Sequence, residues 1–171
     1  MATQKEFILH PRPMEITGLK NEEVIPFLIR LWDSQVTEPV PDFDSLFGAG
    51  QLARQIRTAG VESEMRRWLA GHTNPSRLDV GGCFLMGLWR GASAVDDPLV
   101  QLLAKGLSSA SPGGAATDSL IGALGTAFDV VRSRETKEAI EREFGRMWAA
   151  HGVTHFQKSV EETLKYVLRV G

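Results

Sequence analysis

Three runs in the C-terminal third space their apolar residues as only a helix can turn into one face. Ser119–Val131 (SLIGALGTAFDVV) is amphipathic, Ala139–Trp148 (AIEREFGRMW) sets Phe144 and Trp148 on one side, and Phe156, Val160, Leu164 and Val167 form a single stripe. They predict helices over 118–132, 134–150 and 154–169, the last opened by Thr154-His-Phe-Gln157 at the spacing of a capping box. No alternating, strand-like run of comparable length competes with them. The predicted class is all-α, an antiparallel helix bundle with short connections.

The rest of the chain is punctuated more heavily. Glu6–Leu9, with Phe7 and Ile8, reads as part of a short extended N-terminal arm over residues 5–9, ahead of Pro11 and Pro13. Asn21 reads as an N-cap, with Glu22 and Glu23 at the positive end of the helix dipole, and that helix is expected to reach Trp32 across Pro26. Thr37–Asp44 reads as an acidic, proline-containing loop, followed by helices over Ser45–Arg57 and Val61–Leu69. Gly71–Val80 reads as turn-rich, and Cys83–Trp89 is too short for periodicity to separate helix from strand. Asp97 before Pro98 marks another helix start, and Ser108–Thr117 is the most flexible-looking connection.

Length and composition bound the rest. A chain of 171 residues suggests one domain, residues 1–171, able to bury a core without staples. The lone Cys83 cannot close an internal disulfide, no apolar run reaches the roughly 18–20 residues that span a bilayer, and MATQKEF lacks the pattern of a secretory signal. The expectation is a cytoplasmic protein with no membrane partner. Net charge is −2, yet residues 47–90 carry six arginines against Glu62, Glu64 and Asp79. Arginine favours planar contacts to phosphate or carboxylate, so Arg54, Arg57, Arg66 and Arg67 are the candidate nucleic-acid contacts. The competing reading is a solvated helix face with local ion pairs.

Catalytic and cofactor signals are weak. Gly48-Ala-Gly-Gln-Leu-Ala53 fits the G-x-G-x-x-A form of a dinucleotide turn, but Pro41–Phe47 before it is no strand, and a flexible helix start suits the glycines better. His151 and His155 have metal-ligand spacing, with Gly152 between them breaking the helix. Cys83 reads as a buried structural thiol, and the paired acids Asp42/Asp44 and Asp96/Asp97 as caps and turns. The four tryptophans read as core or interface anchors. No enzyme, cofactor or metal is expected.

Two family resemblances emerge from short motifs. Gln51-Leu-Ala-Arg54 looks like the Q-x-A-R of rod-shaped, tobacco-mosaic-like plant virus coat proteins, and Asp97-Pro-Leu-Val100 resembles their D-P-L-V. Ala115-Ala-Thr117 sits where that family has D-D-A-T, and Glu141–Trp148 is similar to its F-E-x-x-x-x-x-W ending. Ser111-Pro-Gly-Gly114 stands where the family places RNA-holding arginine and aspartate, so only Arg54 carries over residue by residue. The resemblance implies a structural, self-assembling capsid subunit, a homo-oligomer on single-stranded RNA. Separately, Ala123-Leu-Gly-Thr126, Phe144-Gly-Arg146, Gly152-Val153 and His155-Phe156 look like stretches of globins, with Trp148 where the haem-ligating histidine would fall. That implies a haemless helical regulatory or ligand-binding module, which senses a hydrophobic small molecule or binds a partner helix.

Overall fold

A computed structural model describes residues 12–56, 59–70 and 74–171. Among the described residues the regular structure is entirely helical. A 3-10 turn at Pro13–Gly18 precedes α1 (Asn21–Val36), α2 (Phe43–Gln55), α3 (Val61–Leu69) and α4 (Pro75–Trp89). Then come α5 (Asp97–Ser109), α6 (Ala115–Phe128), α7 (Arg134–Ala149) and α8 (Lys158–Leu168). The expected N-terminal arm at 5–9 lies outside the described residues.

The axis of the bundle is α4, whose sequence PSRLDVGGCFLMGLW is buried over most of its length. A helix apolar all round has to be surrounded, because no face can be left to water. Here α2 and α6 flank it most extensively, and α1, α3 and α5 complete the cover. The approach is close enough to exclude side chains. A methyl on Gly50 would come within 2.6 Å of the Leu88 amide nitrogen, and one on Gly87 within 2.8 Å of the Phe47 carbonyl carbon. On the opposite side, a methyl on Gly82 would stand 2.8 Å from Ser119 Cβ.

One continuous apolar cluster runs from Ile16 to Val167. Trp32 is fully buried, 5.1 Å from Phe84 and 5.6 Å from Trp68 between ring centres, tying α1 to α4 and α3. The C-terminal stripe behaves as its spacing predicts, with Val160, Leu164 and Val167 buried on α8.

Several boundaries differ from the sequence reading. Residues 75–80, expected to be turn-rich, form the first turns of α4: Asn74 Oδ1 accepts from the Ser76 amide at 2.8 Å, and Pro75 occupies the start of the helix. That is a complete helix-start signal, and it settles Cys83–Trp89 as helix. Asn21 is the first helical residue, not a side-chain cap, and α1 continues past Trp32 to Val36. It passes Pro26 because Phe27, Leu28, Leu31 and Trp32 all bury on one face. Asp96, one residue before the expected cap, receives the Leu99 amide at 3.1 Å. Thr154 opens no capping box; α8 starts only at Lys158, without a side-chain cap. Gly48 and Gly50 lie inside α2 and not at a loose helix start; Gly50 serves the close packing on α4, while a methyl on Gly48 would meet nothing within 4 Å.

Candidate functional site

Two connections and two helix starts enclose a cleft of about 360 Å³. One wall is the α1–α2 connection, with Glu38, Pro39 and Pro41; the other is the end of α5 and the start of α6, with Ala110 and Ala116. The first turns of α4 supply the floor through Leu78 and Asp79. The volume falls within the range of small-molecule sites, roughly 300–1,000 Å³. The α5–α6 wall is held in place locally: Thr117 Oγ1 donates to the Ser111 carbonyl at 2.6 Å and the Gly114 amide to the same oxygen at 3.1 Å.

Asp79 is the chemically distinctive element. It is only 9% exposed, yet it is the one acid of a mostly apolar helix. Ser119 Oγ donates to its Oδ1, and Cys83 Sγ lies 3.7 Å from the same atom and 3.4 Å from Ser119 Oγ. The close α4–α6 approach at Gly82 brings Ser119 to this place. Oδ2 has no hydrogen-bond partner among the described residues, and Asp79 lines the cleft. A carboxylate oxygen without a protein partner keeps its capacity to accept a hydrogen bond from a ligand in the cleft.

The neighbours respond to this charge. Burial, above all, pushes the Cys83 thiol up to about 11, with Ser119 opposing and Asp79 adding to the rise. This thiol is inert at neutral pH, in keeping with a structural cysteine. Asp118, one residue before Ser119, has its carboxyl raised first by burial and then by the Asp79 charge. Asp118 faces a different cleft, about 430 Å³, between α2, α6 and α8. A third, about 520 Å³, lies between α5 and α7 and is lined by Lys105, Glu135, Glu138 and Arg142, which makes it a charged surface groove.

The candidate arginines are spread over several partners. Arg54 lies against Gly91, its Nε buried with no partner among the described residues. Arg66 pairs with Asp96 at 3.3 Å, so Arg54 and Arg66 meet the same α4–α5 connection from two helices. Arg67 is largely exposed and pairs with Glu64 at 2.7 Å. Arg57 lies outside the described residues. Arg77, not among the candidates, stacks 4.6 Å over Trp68 and donates to its carbonyl at 3.0 Å. An exposed ion pair such as Arg67–Glu64 contributes roughly 0–1 kcal/mol.

His151 is sandwiched between Trp148 and Phe156, at 5.1 and 5.7 Å, with Nε2 3.3 Å from Glu161. Among the described residues no three His, Cys, Asp or Glu side chains converge as metal ligands would, and no helix is long and apolar enough to cross a membrane. No family model, curated protein or solved structure matches the chain.

Proposed function

We propose that the protein is a non-enzymatic helical module that binds a small, largely apolar molecule in the cleft between the α1–α2 connection, α4 and the α5–α6 connection. The observation that carries this reading is the pairing of a 360 Å³ apolar-walled cleft with one buried, half-satisfied carboxylate on its floor. A few placed polar groups in an apolar concavity are what orients a small ligand. Cys83 and Ser119 lie behind the lining, where they hold Asp79 Oδ1, and the raised thiol supplies no activated nucleophile, so Asp79 is the polar recognition point.

The experiment is calorimetric titration with cyclohexanol of the wild-type chain and of Ser109→Trp, which places an indole at the exposed rim of the cleft. Saturable wild-type binding that the variant weakens at least about tenfold, or 1.4 kcal/mol, supports the reading. Equal binding by both proteins removes it.

Binding of single-stranded RNA by a self-assembling subunit is a second reading, favoured by the shared position of Arg54 and Arg66 and the exposure of Arg67. Phosphate contacts need charge and geometry and no base code. The Arg54→Ala/Arg57→Ala double variant is then expected to fold but to lose nucleic acid. Full retention of RNA by that variant rejects the site. A particle that stays monomeric from pH 5 to 8 with and without RNA rejects the coat reading altogether.

A further inference from the structure

The electrostatic balance of the cleft separates ligand classes that volume alone does not. Asp79 and Glu38 are the two carboxylic side chains of its lining, and no described lining residue is basic. The starts of α4 and α6 also line it. A helix start carries about half a positive charge and a helix end about half a negative one, so the two starts, set against the end of α5 that also lines the cleft, offset roughly half a charge. The lining stays net negative by roughly one and a half charges. An anion would meet that excess at the floor; a neutral ligand would leave Asp79 Oδ2 with at most an ordinary hydrogen bond.

Resting on the cleft reading above, we infer that the ligand class is an organic cation. A primary or secondary ammonium group donates to Asp79 Oδ2, and its hydrocarbon part lies along Pro39, Pro41 and Ala116. Three observations support this assignment. Asp79 Oδ1 is already committed to Ser119 and Cys83, which fixes the carboxylate and leaves one oxygen in a defined direction. The residue is more than nine-tenths buried, so water competes weakly for the ion pair. The proline-lined wall offers apolar surface with no amide donors of its own that would prefer an anion.

The test compares three six-membered-ring probes of nearly equal size at pH 7: cyclohexylammonium, cyclohexanol and cyclohexanecarboxylate. Charge-assisted hydrogen bonds are about twice as strong as neutral ones, so cyclohexylammonium is expected to bind at least about tenfold more tightly than cyclohexanol. Cyclohexanecarboxylate is expected to bind most weakly of the three. Asp79→Asn should remove the preference for the ammonium over the alcohol. Equal affinity for ammonium and alcohol, or a preference for the carboxylate, overturns the cation assignment and leaves the cleft reading standing. An Asp79→Asn protein that keeps the full preference overturns the role of Asp79. Failure of all three probes to bind the wild-type chain overturns the cleft reading itself. The wild-type series decides the ligand class even where the variant does not fold.

Discussion

Gly48 and Gly50 sit two residues apart in α2, and the same substitution is expected to have opposite effects at the two positions. A methyl on Gly48 meets nothing within 4 Å. Replacing an unencumbered interior helical glycine by alanine reduces the entropy lost on folding and stabilises by about 0.5–1 kcal/mol. A methyl on Gly50 meets the Phe84 carbonyl and, at 2.6 Å, the Leu88 amide nitrogen. Both are backbone atoms in the most buried helix of the bundle, so no side-chain rotation relieves the clash; α2 and α4 must separate. Overpacking of this kind costs about 1–3 kcal/mol, and the upper half of that range applies where backbone must move. Subtracting the same helical gain leaves Gly50→Ala about 1–2 kcal/mol less stable than wild type. The two variants should thus differ by roughly 2–3 kcal/mol, which at about 2–4 °C per kcal/mol for a chain of this size is on the order of 4–12 °C in Tm. Circular dichroism melts and urea titrations on both proteins provide the measurement. A Gly50→Ala protein as stable as Gly48→Ala would refute the close α2–α4 approach.

Glu62 Oε2 accepts from the Trp89 indole at 3.0 Å and the Asp96 amide at 2.6 Å, joining α3 to both ends of the α4–α5 connection. Glu62→Ala should destabilise by about 1.5–3 kcal/mol, the range for hydrogen bonds to a charged group; a urea midpoint unchanged from wild type would contradict this. Cys83, held at about 11, should react with Ellman's reagent at neutral pH only after unfolding. Rapid reaction of the native protein would show the thiol to be accessible. A thiol pKa raised on folding means that the folded state holds its proton longer. The associated stability is present below the ordinary thiol value of 9.0 and is lost as pH rises towards about 11. The urea midpoint of wild type should therefore fall more steeply over that window than that of Cys83→Ala, and parallel profiles would remove the effect.

Helical class was legible in the sequence because the C-terminal segments carry period-3.6 stripes that Val160, Leu164 and Phe144 then bury. Ser119–Val131 identified α6 for the same reason. The central helix was harder. Its residues are apolar on every side, so α4 has no stripe to detect, and its glycines imitate a turn until the neighbouring helices explain them. Asn74-Pro75 was a usable start signal, and reading it would have placed Asp79 inside an apolar helix as a buried acid. The connections that wall the cleft, residues 37–42 and 110–114, were recognisable from proline, glycine and serine content, although Phe43, Asp44, Ser108, Ser109 and Ala115–Thr117, read as loop, are helical. What could not be read was their meeting over α4, which depends on helix packing and not on local composition. Asp42 and Asp96 show the reverse case: capping is local chemistry, and both acids do accept first-turn amides. The arginines were found by type alone, and a count of arginines does not reveal that Arg66 faces Asp96 or Arg67 faces Glu64.

Residue-resolved amide spectra of the wild-type protein, recorded while cyclohexylammonium is added, test the small-molecule cleft most directly. The account predicts saturable shifts concentrated at Ser76, Asp79, Ala110 and Ala116, with Arg54, Arg66 and Arg67 unmoved. Shifts that grow without saturating, spread over the surface or centre on the α4–α5 connection would contradict it.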